Sequence, residues 1–145
     1  MAQARRFDHV GITVADMDRA EAFFGVIGFE TEGSAHMEGE FVDTVTGLAG
    51  SRSEIRVLRL PGAETTLELS AFETPAHEPG PEAPRPTLAG LRNLCFEVEG
   101  LPGLVEEYAS RGYGLVGGIG EWQGAWRMAY VRGPEGIILA LAERL

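Results

Sequence analysis

The amino-acid sequence predicts an α+β fold: two tandem βαβββ units whose paired, curved, mostly antiparallel sheets enclose a cleft. Three observations predict it. One pattern occurs twice, each copy runs from a period-two strand into a period-3.6 helix, and a proline-rich stretch separates the copies. Set Phe7-Asp8-His9-Val10-Gly11-Ile12-Thr13-Val14 over Leu91-Arg92-Asn93-Leu94-Cys95-Phe96-Glu97-Val98 and the apolar positions coincide. Met17, Ala20 and Phe24 then fall over Leu101, Leu104 and Tyr108, and Gly28-Phe29 over Gly112-Tyr113. Further on, Thr66-Leu67-Glu68-Leu69 matches Ile138-Leu139-Ala140-Leu141. The copies differ chemically: the first carries His9 and Glu68 where the second carries Asn93 and Ala140.

Each element follows from its pattern. Val10, Ile12 and Val14 alternate with His9, Gly11 and Thr13, which makes a first strand with one apolar face. Asp16 is placed to cap a helix whose Ala20, Phe23, Phe24 and Ile27 follow i, i+3, i+4, i+7. A strand is expected around Thr31–His36. Residues Met37 to Arg52 have no counterpart in the second copy, so they form a loop or short helix over the cleft mouth, where His36 and Phe41 would touch a ligand. Strands near Ile55–Leu60 and Thr65–Phe72, joined at Pro61-Gly62, complete the first unit, residues 1–74.

Residues 75–87 hold five of the eight prolines, a composition that cannot donate a regular set of backbone hydrogen bonds and reads as an extended linker. His77 within it is a solvated loop residue. The second unit, residues 88–145, begins with the strand face Leu94, Phe96, Val98. A helical stripe of Leu101, Leu104, Val105 and Tyr108 follows, with Pro102 tolerated in the first turn. Strands are expected at Leu115–Ile119, Arg127–Arg132 and Ile137–Ala142, the last two joined by Gly133-Pro134-Glu135-Gly136. Both units together make one domain, 1–145.

Composition narrows the partners. A net charge of −10 argues against a phosphate-backbone partner, which needs a concentrated basic surface. A single cysteine excludes an intrachain disulfide and fits a reducing compartment. Met1-Ala2-Gln3-Ala4-Arg5-Arg6 leads into a polar strand pattern with no apolar signal core, and no run approaches the ~18 apolar residues of a membrane span. A cytoplasmic protein is expected, with no membrane or nucleic-acid partner.

Alternation also orients the chemical residues. If Val10 and Ile12 pack under the helix, His9 and Thr13 face the other side of the sheet, as do Thr66, Glu68 and Ser70. In the second copy Asn93, Cys95, Glu97 and Ala140 take that side. A sheet face lined by His, Glu, Asn, Cys and Thr is not ordinary core. Trp122, Trp126 and Tyr130 cluster in the second unit and suit the wall of an organic-ligand pocket, or pack between strands. Arg56 and Arg127 occupy similar places in the two copies and would meet an anionic substrate, or lie on the surface. No neighbouring His or helix start marks Cys95 as an activated thiolate. Gly117-Gly118-Ile119-Gly120 precedes no amphipathic helix and reads as a bend, not a phosphate loop.

The phrases Asp8-His9-Val10-Gly11-Ile12-Thr13-Val14, Gly28-Phe29-Glu30, Thr66-Leu67-Glu68-Leu69, Asn93-Leu94-Cys95-Phe96-Glu97-Val98 and Gly133-Pro134-Glu135-Gly136-Ile137 resemble the vicinal oxygen chelate superfamily. That group includes glyoxalase I, methylmalonyl-CoA epimerase, thiol-transferring fosfomycin resistance proteins, ring-cleaving dioxygenases and bleomycin-resistance proteins. The resemblance spans nearly the whole chain and implies the glyoxalase/bleomycin-resistance fold and a homodimer. It does not name a reaction, because the superfamily spans several chemistries and pure binders.

In metal-using members, the resemblance implies, ligands come from the first and last strands of each unit. His9 and Glu68 match two of those positions, while Asn93 stands where His is usual and Ala140 where Glu is usual. A divalent metal (Zn, Ni, Mn, Co or Fe) held here would polarise neighbouring substrate oxygens. Three readings stay open. His9 and Glu68 bind such a metal with Asn93, supplemented by Glu97, Gln123 or His36. They work without metal as an acid–base pair. Or they are remnants inside a binding pocket. Two functions follow: an enzyme of the isomerase, epimerase or lyase type, moving a proton next to a carbonyl of a small oxygenated molecule, or a metal-free binder of a small molecule or antibiotic. In the enzyme His9 and Glu68 carry the chemistry. Asn93, Trp122, Trp126, Tyr130, Arg127, Cys95 and Phe41 contact substrate.

Overall fold

In the computed structural model, which describes residues 2–145, the alternation at the start of the chain forms β1 (His9–Thr13), and Asp16 caps α1 (Met17–Gly25). The Asp16 carboxylate accepts from the Arg19 backbone N–H at 3.0 Å, satisfying one of the donors a helix start leaves unpaired. Asp16→Ala is expected to destabilise the protein by about 1 kcal/mol, read as a shift in the denaturant midpoint at unchanged slope.

The first unit continues through β2 (Glu30–Glu38), α2 (Glu40–Thr46), β3 (Arg52–Arg59) and β4 (Thr66–Thr74). Its sheet has the order β1-β4-β3-β2, with β1 parallel to β4 and the other pairings antiparallel. The parallel pair needs a long crossover, which α1, β2, α2 and β3 supply. α1 ends at Gly25, before Ile27, because the chain turns at Gly28, whose φ of +100° suits glycine and whose N–H donates to the Gly25 carbonyl. Phe23 and Phe24 are buried, and Phe24 meets Phe23 and Phe29 edge-to-face at 5.3 and 5.7 Å between ring centres. With Ala20, Val14, Leu58, Leu67 and Leu69 they form this unit's core. The segment expected over the cleft mouth is the short α2. The Asp43 carboxylate ties its end down by accepting from the N–H groups of Gly50 and Ser51 and from the Ser51 hydroxyl, which also holds it below the usual carboxylate range.

The second unit repeats the plan. β5 (Leu94–Glu97), α3 (Leu101–Ser110), β6 (Gly120–Trp122), β7 (Trp126–Arg132) and β8 (Ile138–Arg144) form a sheet of order β5-β8-β7-β6, again with its outer pair parallel. Val10 pairs with Leu67 in the first sheet and Leu94 with Leu139 in the second, the positions the sequence repeat aligns. The fold is therefore α+β, with two four-stranded sheets of the same topology. By compactness the chain divides into Met1–Glu78 and Pro79–Leu145.

Two local features differ from the sequence reading. The strand expected at Leu115–Ile119 is absent: Leu115 makes one bridge to Val131, and the ladder starts only at Gly120. Gly117 and Gly118 offer no side chains to pack on a sheet, so that stretch bends instead. The proline-rich stretch, read as an extended spacer, belongs in part to the second unit. Pro84 is buried and its carbonyl accepts from Arg132 Nη1 at 2.8 Å. The α3 start has no side-chain cap of its own. Glu143 on β8 does that work, accepting from the N–H groups of Gly100 at 2.6 Å and Leu101 at 3.3 Å. No helix among the described residues is long and apolar enough to cross a membrane.

Candidate functional site

Register decides which side chains of the first sheet meet. β1 and β4 run parallel with His9 opposite Thr66 and Gly11 opposite Glu68, so His9 and Glu68 are diagonal neighbours on one face. Leu67 and Leu69 face the other way, toward α1, where Arg56 of β3 also points and pairs with Asp18 and Glu21, both at 2.7 Å. Gly11, beside His9, leaves open space where a side chain would stand. His9 Nε2 lies 3.6 Å from Glu68 Oε2, an ion-pair distance longer than a hydrogen bond.

The other ring nitrogen is taken. Asp8 Oδ2 lies 2.8 Å from His9 Nδ1, and Asp8 is itself paired with Arg6. The result is a line of groups, Asp8–His9–Glu68, with the imidazole in the middle. Asp8 keeps a proton on Nδ1 and so aims Nε2 at Glu68. The hydrogen bond to Asp8 first, then the charges of Glu68 and Asp8, raise the His9 pKa above its ordinary 6.5. Asp8 is correspondingly held below the usual carboxylate range, chiefly by that same bond.

Because the folded protein favours the imidazolium, the stability His9 contributes is full below pH 6.5 and is lost as pH rises through its higher folded-state pKa. Asp8→Asn removes the acceptor charge, so the His9 titration, followed by its ring proton resonances, is expected to move to lower pH. An unmoved midpoint would refute the role given to Asp8. The sequence reading passed over Asp8, although an acid directly before the histidine was visible in it.

In the second sheet Cys95 pairs with Ala140 and Tyr130 with Ala140, while Met128 pairs with Ala142 and Trp126 with Arg144. These residues therefore share one face, and Trp122, opposite Trp126, joins them. Val116, Gly117, Gly118, Gly120, Met128 and Tyr130 line a shallow hollow of about 370 Å³. Trp122 is 63% exposed, and Trp126 carries the Arg144 guanidinium 4.6 Å above its ring. Partial desolvation pushes the thiol of the exposed Cys95 up, which disfavours a thiolate. Asn93 stands immediately before β5, and Ala140 is buried with nothing to donate.

Two expected contributors, Arg127 and His36, fall elsewhere. Arg127 alternates onto the opposite face, with Ala129 and Val131, and is paired with Glu121 at 3.1 Å and Glu143 at 3.4 Å, so it is not brought together with Tyr130. His36 sits opposite Glu54 on the α1 side of the first sheet, not beside Glu68, and its pKa is raised by Glu54 and then Glu38. Glu97 keeps to the Cys95 face, where it pairs with Arg144. Phe41 lies on α2 with 74% of its surface exposed.

The donor set tests the metal reading. The first unit offers one imidazole and one carboxylate, His9 and Glu68. Among the described residues no third His, Cys, Asp or Glu clusters with His9 and Glu68 at ligand spacing. A firmly held ion needs three or more such donors besides its open position, so these residues do not fit one.

Known proteins place the whole pattern. The family model described as Glyoxalase/Bleomycin resistance protein/Dioxygenase superfamily matches residues 8–130. A glyoxalase family protein from Bacillus cereus is similar at 35% identity, with a TM-score of 0.94 over 99% of this chain and 97% of that one. A trypanothione-dependent glyoxalase I from Leishmania major (19% identity, TM-score 0.65, 97% and 87% covered) has the same fold. So has a genomically encoded fosfomycin resistance protein from Listeria monocytogenes (13% identity, TM-score 0.63, 99% and 96% covered). No curated protein matches the sequence. The repeated βαβββ units, their shared register and the match over most of the chain lead to one conclusion: this protein belongs to the glyoxalase/bleomycin resistance protein/dioxygenase superfamily.

Proposed function

We propose that the protein is a metal-independent proton-transfer enzyme, an isomerase, epimerase or lyase that acts next to a carbonyl of a small oxygenated molecule. The observation that carries this reading is the Asp8–His9–Glu68 line, with 2.8 Å from Asp8 to Nδ1 and 3.6 Å from Nε2 to Glu68. The gap at Nε2 is too long for a hydrogen bond and so leaves that N–H available to a substrate oxygen. Glu68 removes the proton next to the carbonyl, and the His9 imidazolium, held protonated by Asp8, donates through Nε2 to the oxygen on which charge develops. Turnover then falls as pH rises through the raised His9 pKa. The Cys95 thiol fits a reducing compartment, and the proposal places the activity in the cytoplasm. It further takes the protein as a homodimer, in keeping with the apolar Phe41 and Val45 that α2 leaves on its surface.

The test is exchange of α-hydrogen for deuterium in D₂O, followed by proton NMR, on α-hydroxy ketones, hemithioacetals and acyl thioesters. Exchange catalysed by the protein and lost in Glu68→Gln is expected. The second reading, a binder that sequesters a small molecule, is favoured by the exposure of Trp122 and the uncharged hollow beside it. It predicts saturable quenching of tryptophan fluorescence by a ligand, with no exchange in any of those compounds.

A further inference from the structure

We propose that the first sheet carries a divalent metal site unrelated to the His9–Glu68 pair, formed by His36 of β2, Glu54 of β3 and Glu73 of β4. His36 and Glu54 are direct cross-strand partners, and Glu54 stands opposite Ala71 of β4. That row lies on the α1 side of the sheet, with Leu69 and Arg56, and away from Glu68. Glu73 reaches it through an irregularity. Arg52 pairs with Thr74 and Ser53 with Phe72, so Glu73 is the extra residue of a bulge, a device that re-aims a side chain.

Each of the three residues brings one ligand atom within 4.8 Å of the others. Two atoms bound to one ion at about 2.1 Å sit about 3.4 Å apart in tetrahedral geometry, so small side-chain rotations close the set. Glu54 stands at His36 Nδ1, 2.7 Å away, so Nδ1 is the ring nitrogen that would ligate, while Glu38 holds the opposite edge of the ring at Nε2 and orients it. Arg52 is the cross-strand partner of Glu38 but is not engaged with the cluster. Among the described residues no arginine pairs with Glu38, Glu54 or Glu73: Arg56 is engaged by Asp18 and Glu21, and Arg52 makes no ion pair. The chain has no lysine to take that place.

Chemistry selects the ion. One imidazole nitrogen with two carboxylates suits Zn²⁺ or Co²⁺, whereas Ca²⁺ and Mg²⁺ favour all-oxygen sets. The ligands come from three adjacent strands, so a bound ion would pin β2, β3 and β4 together and raise the unfolding temperature.

The experiment uses the full chain with His9→Ala and Glu68→Ala, which removes the other imidazole–carboxylate pair and leaves two histidines, His36 and His77. Metal-free protein is titrated with ZnCl₂ by calorimetry and by proton NMR. One equivalent of Zn²⁺ is expected, shifting the His36 ring signals and leaving those of His77 in place. Adding Glu54→Gln or Glu73→Gln should weaken binding at least tenfold while the far-ultraviolet circular dichroism stays the same. Binding of no Zn²⁺, binding that shifts only His77, or unchanged affinity in both glutamine variants would each overturn the proposal. If one variant fails to fold, the other and the His36 signals still decide. None of these outcomes bears on the proton-transfer reading, which rests on the opposite face.

Discussion

Glu68→Gln lowers the rate of catalysed α-hydrogen exchange by about 10²–10⁴-fold, the range a positioned general base contributes, while ligand affinity stays within about tenfold. The reasoning is geometric. Glutamine keeps the size of Glu68 and its place on β4, and the His9 ring stays aimed by Asp8 at 2.8 Å. What disappears is the carboxylate that accepts the proton. A group that acts mainly in the transition state shows in turnover and not in binding. Trp122→Ala gives the contrast: on the binder reading, loss of this exposed aromatic should weaken ligand affinity more than Glu68→Gln does. A wild-type rate no higher than that of Glu68→Gln, with affinity that depends on Trp122, would leave the binder as the correct reading.

Gly136→Ala destabilises the protein by about 2–5 kcal/mol. Two effects act together. Gly136 has a φ of +71°, where a side chain costs roughly 1–2 kcal/mol. A Cβ there would also stand 2.5 Å from the Pro81 carbonyl oxygen and 3.3 Å from Pro84 Cδ, an overlap with backbone that cannot swing aside and adds about 1–3 kcal/mol. Two other glycines separate the effects. Gly124, at the β6–β7 hairpin with a φ of +63°, has nothing within 4 Å, so Gly124→Ala carries the backbone part alone. Gly117 has neither feature, and Gly117→Ala should stay within about 0.5 kcal/mol of wild type. Chemical denaturation of the three variants checks the order. Equal losses for Gly136→Ala and Gly124→Ala would show that the contact with the proline-rich stretch contributes nothing.

The elements legible in the sequence were those written in local periodicity. Val10 and Ile12, Phe23 and Phe24, and Leu139 and Leu141 declare strand, helix and strand because side-chain direction repeats every two or 3.6 residues. The same alternation put His9 and Glu68 on the face away from Leu67 and Leu69, and the register agrees. It failed where local pattern is weak: the glycines at 117 and 118 have no side chains to alternate, and the strand expected there begins at Gly120 instead.

By itself, then, the sequence determined the repeated topology, the two apolar faces, and the loss of ligand types at Asn93 and Ala140, since all of these are carried by residue identity and spacing. Tertiary structure decided the partners. Arg127 was legible as a cation, but only the folded sheet supplied its partners, Glu121 and Glu143, on the face opposite Tyr130. His36 was legible as a histidine, but only the β2–β3 register brought Glu54 to it and only a bulge in β4 brought Glu73. Glu143 became the cap of α3 from more than forty residues away. Such contacts depend on which strands lie side by side and in what register. That is fixed by burial of the whole apolar face at once and leaves no mark on any single stretch of chain.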